Sequence, residues 1–111
     1  DASGWTMIGE RSVDGKVDTD QIEISQKLGK FTKIVFVVLD SDLEMISTDV
    51  LFVSGKKFSP EFKQVFREDT RTRVLDLPVV AGKPEILRRI SFKYKNLAGG
   101  GKARVQVWGR N

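Results

Sequence analysis

Two sets of side chains in this 111-residue chain have the types and spacing to do chemistry. The first is acidic. Asp14, Asp18 and Asp20 stand at or before residues 21–25 (QIEIS), and Asp40 and Asp42 follow residues 31–39 (FTKIVFVVL). If those two stretches form a hairpin turning near residues 27–30, Asp18 faces Asp40 and Asp20 lies two positions along. Carboxylate oxygens from two adjacent loops are what calcium takes, and such a cluster without a cation repels itself. Asp18, Asp20, Asp40 and Asp42 are therefore the candidate metal ligands, and calcium is the only cofactor the sequence suggests. The glycine-centred spacing of an EF-hand is absent, and aspartate is also a favoured residue of turns and strand ends.

The second set is basic and aromatic. Arg89 and Lys93 share one face of an alternating segment whose other face carries Ile90, Phe92 and Tyr94. Arg104, Trp108 and Arg110 alternate in the same way with Ala103, Val105 and Val107. Joined through the glycine-rich residues 96–101 with Tyr94 opposite Ala103, the two segments set Arg89 against Trp108 and Lys93 against Arg104. Cations around an indole suit a polyanion, a glycan or an anionic surface. Arg89, Lys93, Arg104 and Trp108 are the candidate ligand-binding residues. The alternative role of such a face is structural: basic side chains guard sheet edges, and a late tryptophan packs against a second sheet.

Much chemistry is excluded by composition. Without histidine there is no imidazole base, no Ser-His-Asp triad and no imidazole metal ligand; without cysteine there is no thiolate, disulfide or zinc–sulfur site. A carboxylate-only hydrolase remains, but it needs two carboxyl groups at a set separation in a cleft, and nothing in the spacing builds one. A non-enzymatic chain is the expectation. Charge is uneven along the sequence: residues 1–55 hold five basic and ten acidic side chains, residues 56–111 fourteen and five. The resulting net charge of +4 is too small to argue for nucleic acid, and no nucleic-acid motif accompanies it.

The elements that must position these residues follow a period of two, the signature of strands. Residues 31–39 read as a central strand buried on both faces, and the segments ending at Tyr94 and Arg110 read as a hairpin. Weaker strands are expected at residues 5–11, 21–25, 46–53 and 72–77. Ser59-Pro60-Glu61 followed by Phe62, Val65 and Phe66 offers one short helical turn. Arg73 and Asp76 differ in parity, so an ion pair to a neighbouring strand is expected of them rather than a shared face. Trp5 is expected to cover one end of the core. Seven to eight short strands with scarcely any helix make a single all-β domain over residues 1–111, an antiparallel β-sandwich of jelly-roll or immunoglobulin-like kind. The longest apolar run, residues 34–39, is far too short to cross a bilayer. The chain begins at Asp1 without methionine, as a processed mature form or a trimmed chain would, and a removed signal peptide fits the former.

Short motifs are spread over nearly the whole chain: Trp5 with Ile8-Gly9, Asp18-x-Asp20-x-Ile22, Gly29-x-Phe31 and Arg73-x-x-Asp76-Leu77-Pro78. Arg89-Ile90 before Tyr94 and Val105-x-Val107-Trp108-Gly109 complete them. In these the chain resembles a group of small exported bacterial all-β proteins of unassigned function. The resemblance implies a one-domain sandwich in an extracytoplasmic place, periplasmic or secreted, and carries over no catalytic residue. The resulting expectation is an exported, non-enzymatic interaction or ligand-binding module. It would contact a protein, glycan or anionic surface through Arg89, Lys93, Arg104 and Trp108. The alternatives are a calcium-binding surface-adhesion domain and the carboxylate-only hydrolase.

Overall fold

Alternating apolar residues become strands because successive side chains of an extended backbone point to opposite sheet faces. A computed structural model describes residues 4–13, 17–28, 30–61, 64–67, 70–72, 74–96 and 102–111. Six strands have seven to ten residues: β1 (Thr6–Val13), β2 (Val17–Glu23), β3 (Lys33–Leu39), β4 (Leu43–Phe52), β11 (Leu87–Asn96) and β12 (Ala103–Arg110). Short strands lie between β4 and β11: β5 (Lys57–Phe58), β6 (Gln64–Phe66), β7 (Thr70–Arg71), β8 (Leu75–Asp76), β9 (Val79–Val80) and β10 (Lys83–Pro84).

The long strands divide into two antiparallel sheets. Sheet A runs β1-β12-β3, with β7 and β8 along the outer side of β3; sheet B runs β2-β11-β4, with β5 and β6 beside β4. Between them lies a core of Ile34, Phe36, Val38, Val105 and Val107 from sheet A and Met45, Val50, Phe52, Ile90, Phe92 and Tyr94 from sheet B. Phe36 and Phe92 meet edge to face across the sheets, their ring centroids 6.5 Å apart. This is the expected all-β sandwich. The boundary of β12 and the buried β3 are as the alternation implies. Even Val35, on the outer side of β3, is buried beneath its cross-strand neighbour Trp108.

Two local expectations need correction. Val65 and Phe66 belong to β6 and not to a helical turn; Phe62 lies outside the described residues. Their spacing fits a helix, but pairing of Gln64, Val65 and Phe66 with Met45, Glu44 and Leu43 draws the segment into the sheet. The one helical turn among the described residues is instead a 3₁₀ turn at Gln26–Leu28. The second correction concerns pairing. Neither expected hairpin forms, because β2 pairs with β11 while β3 pairs with β12.

Glycine marks two points of close approach. A Cβ at Gly9 would stand 2.2 Å from Ile22 Cγ2, where β1 of one sheet meets β2 of the other. A Cβ at Gly109 would stand 2.8 Å from the ring of Phe31, which seals that end of the core.

Candidate functional site

The separation of β11 from β12 divides the expected basic-aromatic site. Ile90, Phe92 and Tyr94 fill the core, so Arg89 and Lys93 point outward from sheet B. Val105 and Val107 fill it from the other side, so Arg104 and Trp108 point outward from sheet A. The four residues thus stand two and two on opposite faces of the sandwich. Arg89 does not face Trp108, nor Lys93 Arg104. Residues 97–101, taken in the sequence as a hairpin loop, lie outside the described residues.

On sheet A the charge is already matched. Arg104 Nε donates to Asp40 Oδ2 at 2.7 Å, and its Nη1 lies 3.6 Å from Glu10 Oε2. Glu10 also accepts from Gln106 Nε2 at 2.7 Å, and Gln106 Oε1 accepts from the Trp108 indole at 3.0 Å. Trp108, Gln106, Glu10, Arg104 and Asp40 therefore form one polar chain across the face. Each pair there is partly exposed and contributes little to stability. Its chemical effect is to leave Arg104 neutralised.

Sheet B differs. Its central strand β11 presents Arg89, Ser91, Lys93 and Lys95 outward in a row, between Thr19, Gln21 and Glu23 of β2 and Ser47, Asp49 and Leu51 of β4. Arg89 Nε donates to Glu23 Oε1 at 2.7 Å. Lys93 and Lys95 make no ion pair among the described residues. Beside them lies a shallow cleft of about 260 Å³ lined by Asp49, Val50, Leu51, Lys57, Arg89 and Ser91. It adjoins a broader one of about 600 Å³ bordered by Ser47, Asp49, Ser59 and Glu61. Asp49 Oδ1 accepts a hydrogen bond from Ser59 Oγ between the two. Lys57 and Lys95 were not singled out by sequence. The outward parity of Lys95 continues from Arg89 and Lys93 and was legible; the nearness of Lys57 to Arg89 depends on β5 folding beside β4.

The acidic residues share one end of the sandwich but not one site. Asp18 lies near the start of β2 in sheet B, and Asp40 in the turn leaving β3 of sheet A, with β11 and β12 between them laterally. Asp20 pairs with Arg11 at 2.9 Å, Asp40 with Arg104 and Asp42 with Arg67 at 3.2 Å. Among the described residues no group of three or more His, Cys, Asp or Glu stands close enough to hold a metal ion. Asp14 lies outside the described residues, as does Arg73, whose neighbour Asp76 pairs with Lys33 of β3 at 3.9 Å. Trp5 is buried, with the Arg110 guanidinium 5.4 Å from its ring centre, so the cation–π contact falls there.

Asp18 and Asp20 have a structural task instead. In an antiparallel ladder, backbone N–H groups alternate between the two sides of a strand. β2 is the edge of sheet B, and its Thr19 and Gln21 N–H groups are turned from β11. They donate to Asp18 Oδ1 at 2.8 Å and Asp20 Oδ1 at 3.1 Å. Asp-x-Asp thus occupies the donors that an incoming strand would use, while adding negative charge to the edge. Replacing both by alanine is expected to give concentration-dependent self-association, measured by analytical ultracentrifugation; a variant that stays monomeric at every concentration contradicts the role.

The comparisons agree with this architecture. None of the curated proteins compared matches the sequence. A solved structure of AlgX from Pseudomonas aeruginosa is similar in fold, with a TM-score of 0.57 and 9% identity. The likeness covers 96% of this chain and 27% of that one, so the chain spans about a quarter of AlgX. The family profile described as "Domain of unknown function (DUF2541)" matches residues 1–109, and the chain belongs to that family.

Proposed function

We propose that this domain is a non-enzymatic binding module of an exported protein, and that it takes a polyanionic ligand such as an acidic glycan on the outer face of sheet B. The observation that carries the reading is the row on β11. Lys93 and Lys95 stand outward at alternate positions and make no ion pair among the described residues, Lys95 having Glu44 of β4 as its cross-strand neighbour. Ser47, Ser91, Thr19 and Gln21 beside them supply hydroxyl and amide groups suited to sugar oxygens. The Lys57–Arg89 cleft continues the row. A flat β-face of this kind holds an extended chain by many weak contacts and needs no enclosed pocket. No helix among the described residues is long and apolar enough to cross a membrane.

Retention on immobilised heparin tests the reading. Lys93→Glu with Lys95→Glu is expected to weaken binding about tenfold or more at low salt, and added salt to weaken the native protein likewise. Arg104→Gln, on the opposite and already neutralised face, is expected to leave it unchanged. Equal retention of the Lys93/Lys95 variant and the native domain would remove sheet B as the contact surface.

A further inference from the structure

The two ends of the sandwich differ in chemistry. At one end β2, β4 and β12 finish and β3 and β11 begin, and three loops converge there. Ile24 N donates to Arg88 O at 2.9 Å, Lys30 bridges to Ile86, and Val53 N donates to Ile86 O at 2.9 Å. Leu77 N donates to Thr32 O at 2.7 Å, and from there the β9–β10 hairpin continues past the start of β3. Its turn, Ala81-Gly82, has φ of 51° and 75°, the left-handed pair that a two-residue hairpin turn requires.

Four aliphatic side chains are exposed at this end: Val79 and Val80 at 46% each, Val53 at 41% and Leu28 at 39%. Val79 and Val80 are neighbours on a strand, so they point to opposite faces of the hairpin. Each face of the hairpin therefore carries a valine that is nearly half exposed, and the hairpin presents an apolar tip. The same end also carries Lys27, Lys30, Lys56 and Lys83, all exposed and none in an ion pair among the described residues. Of the nearby carboxylates, Glu23 pairs with Arg89 and Asp76 with Lys33, while Glu85 accepts a hydrogen bond from Ser54 Oγ at 2.7 Å through Oε1 and keeps its charge, its Oε2 buried without a partner; the four lysines outnumber it.

We propose that this end docks onto a membrane surface carrying anionic lipid. The valine tip enters the boundary between headgroups and acyl chains, and the four lysines meet the phosphates. That environment satisfies both features at once, since apolar burial and lysine attraction to anionic lipid add in binding an interface. A soluble polyanion would answer the lysines and leave the valines in water. The acidic end of a second copy is a poorer fit, because Asp40 and Asp42 already hold Arg104 and Arg67. The surface is distinct from the β11 row and does not depend on a ligand there.

Co-sedimentation of the whole domain with vesicles tests it. The protein is expected to bind phosphatidylcholine vesicles containing phosphatidylglycerol, to leave pure phosphatidylcholine largely unbound, and to dissociate as salt rises. Val79→Asp with Val80→Asp is expected to lower the partition coefficient about tenfold or more. Lys27→Glu with Lys83→Glu provides a second variant that leaves the hairpin's apolar residues in place, and it is expected to lose binding too. Lys93→Glu with Lys95→Glu is expected to keep it, which separates this proposal from the glycan reading. Several results would overturn it: no preference for anionic vesicles, or native binding by both tip variants. So would self-association abolished by the valine substitutions in a protein that ignores vesicles.

Discussion

Gly9→Val is expected to destabilise the domain by about 3 kcal/mol, lowering the melting temperature by roughly 10–20 °C. The cause is the meeting of two sheet edges. β1 carries a bulge between Met7 and Gly9, which leaves Gly9 paired with Val107 and turned toward β2. There Ile22 Cγ2 stands 2.2 Å from where a Cβ would be, and Ile24 Cδ1 3.5 Å. A branched carbon close to its own backbone cannot swing away as a long side chain would, so the edges must part or Ile22 must leave its rotamer. Parting the edges also strains the Arg11–Asp20 pair that spans the same seam. Stiffening the unfolded chain by removing a glycine returns only about 0.4–1 kcal/mol. The check is a double-mutant cycle with Ile22→Ala, which deletes the obstructing methyl. The pair should cost clearly less than the sum of the two single changes. Simple additivity would show that the close approach carries no strain.

Phe36→Ala is expected to cost about 3–5 kcal/mol, with a further ~1 kcal/mol from the lost aromatic contact. Against the net stability of a typical domain, about 5–15 kcal/mol, that leaves the fold marginal. Phe36 is fully buried and its ring is the bridge from sheet A to Phe92, which in turn lies 5.9 Å from Tyr94. Its backbone is held as well: Phe36 N–H donates to Thr72 Oγ1 at 3.0 Å, and Thr72 N–H donates to Phe36 O at 2.9 Å. Those bonds survive the substitution, so the loss reports packing alone. Phe36→Leu, which keeps much of the volume, is expected to cost about 1–2 kcal/mol. Urea unfolding measures both. Equal costs for leucine and alanine would mean that the ring does not carry the inter-sheet contact.

The two variants locate where sequence reading succeeds. Phe92 and Tyr94 were assignable to a core from alternation, and Phe36 from the apolar run that contains it. Gly9 was not assignable to a contact, because its partner Ile22 belongs to a strand of the other sheet. The candidate site divides in the same manner. That Arg89, Lys93, Arg104 and Trp108 turn away from the core was legible; that they turn away on opposite sides was not. Asp18 and Asp20 were visible as a spaced acidic pair. Their bonds to Thr19 and Gln21 on an unpaired edge appear only once β2 is known to be an edge.

The membrane-docking tip was the least visible feature. Nothing in the alternation singles out Val79-Val80-Ala81-Gly82-Lys83, and its lysine companions come from two other segments, Lys27 and Lys30 from the β2–β3 connection and Lys56 from the β4–β5 turn. The uneven charge along the sequence, −5 over residues 1–55 and +9 over residues 56–111, is a poor guide to it. Lys27 and Lys30 of the acidic half join Lys56 and Lys83 of the basic half at that end.

Sequence by itself determined the all-β class, most of the long strands and which face of each is buried. These are decided within a few residues, by the two-residue period of an extended backbone and the free energy of burying apolar side chains. Tertiary structure alone decided which strands share a sheet. Pairing β11 with β2 and β4, and β12 with β1 and β3, joins strands far apart in sequence, and the alternation of each strand satisfies either sheet equally well. Only packing two complete apolar faces against each other selects one arrangement. That selection sent Arg89 and Lys93 to one side of the molecule and Arg104 and Trp108 to the other, and placed Lys27, Lys30, Lys56 and Lys83 at one end.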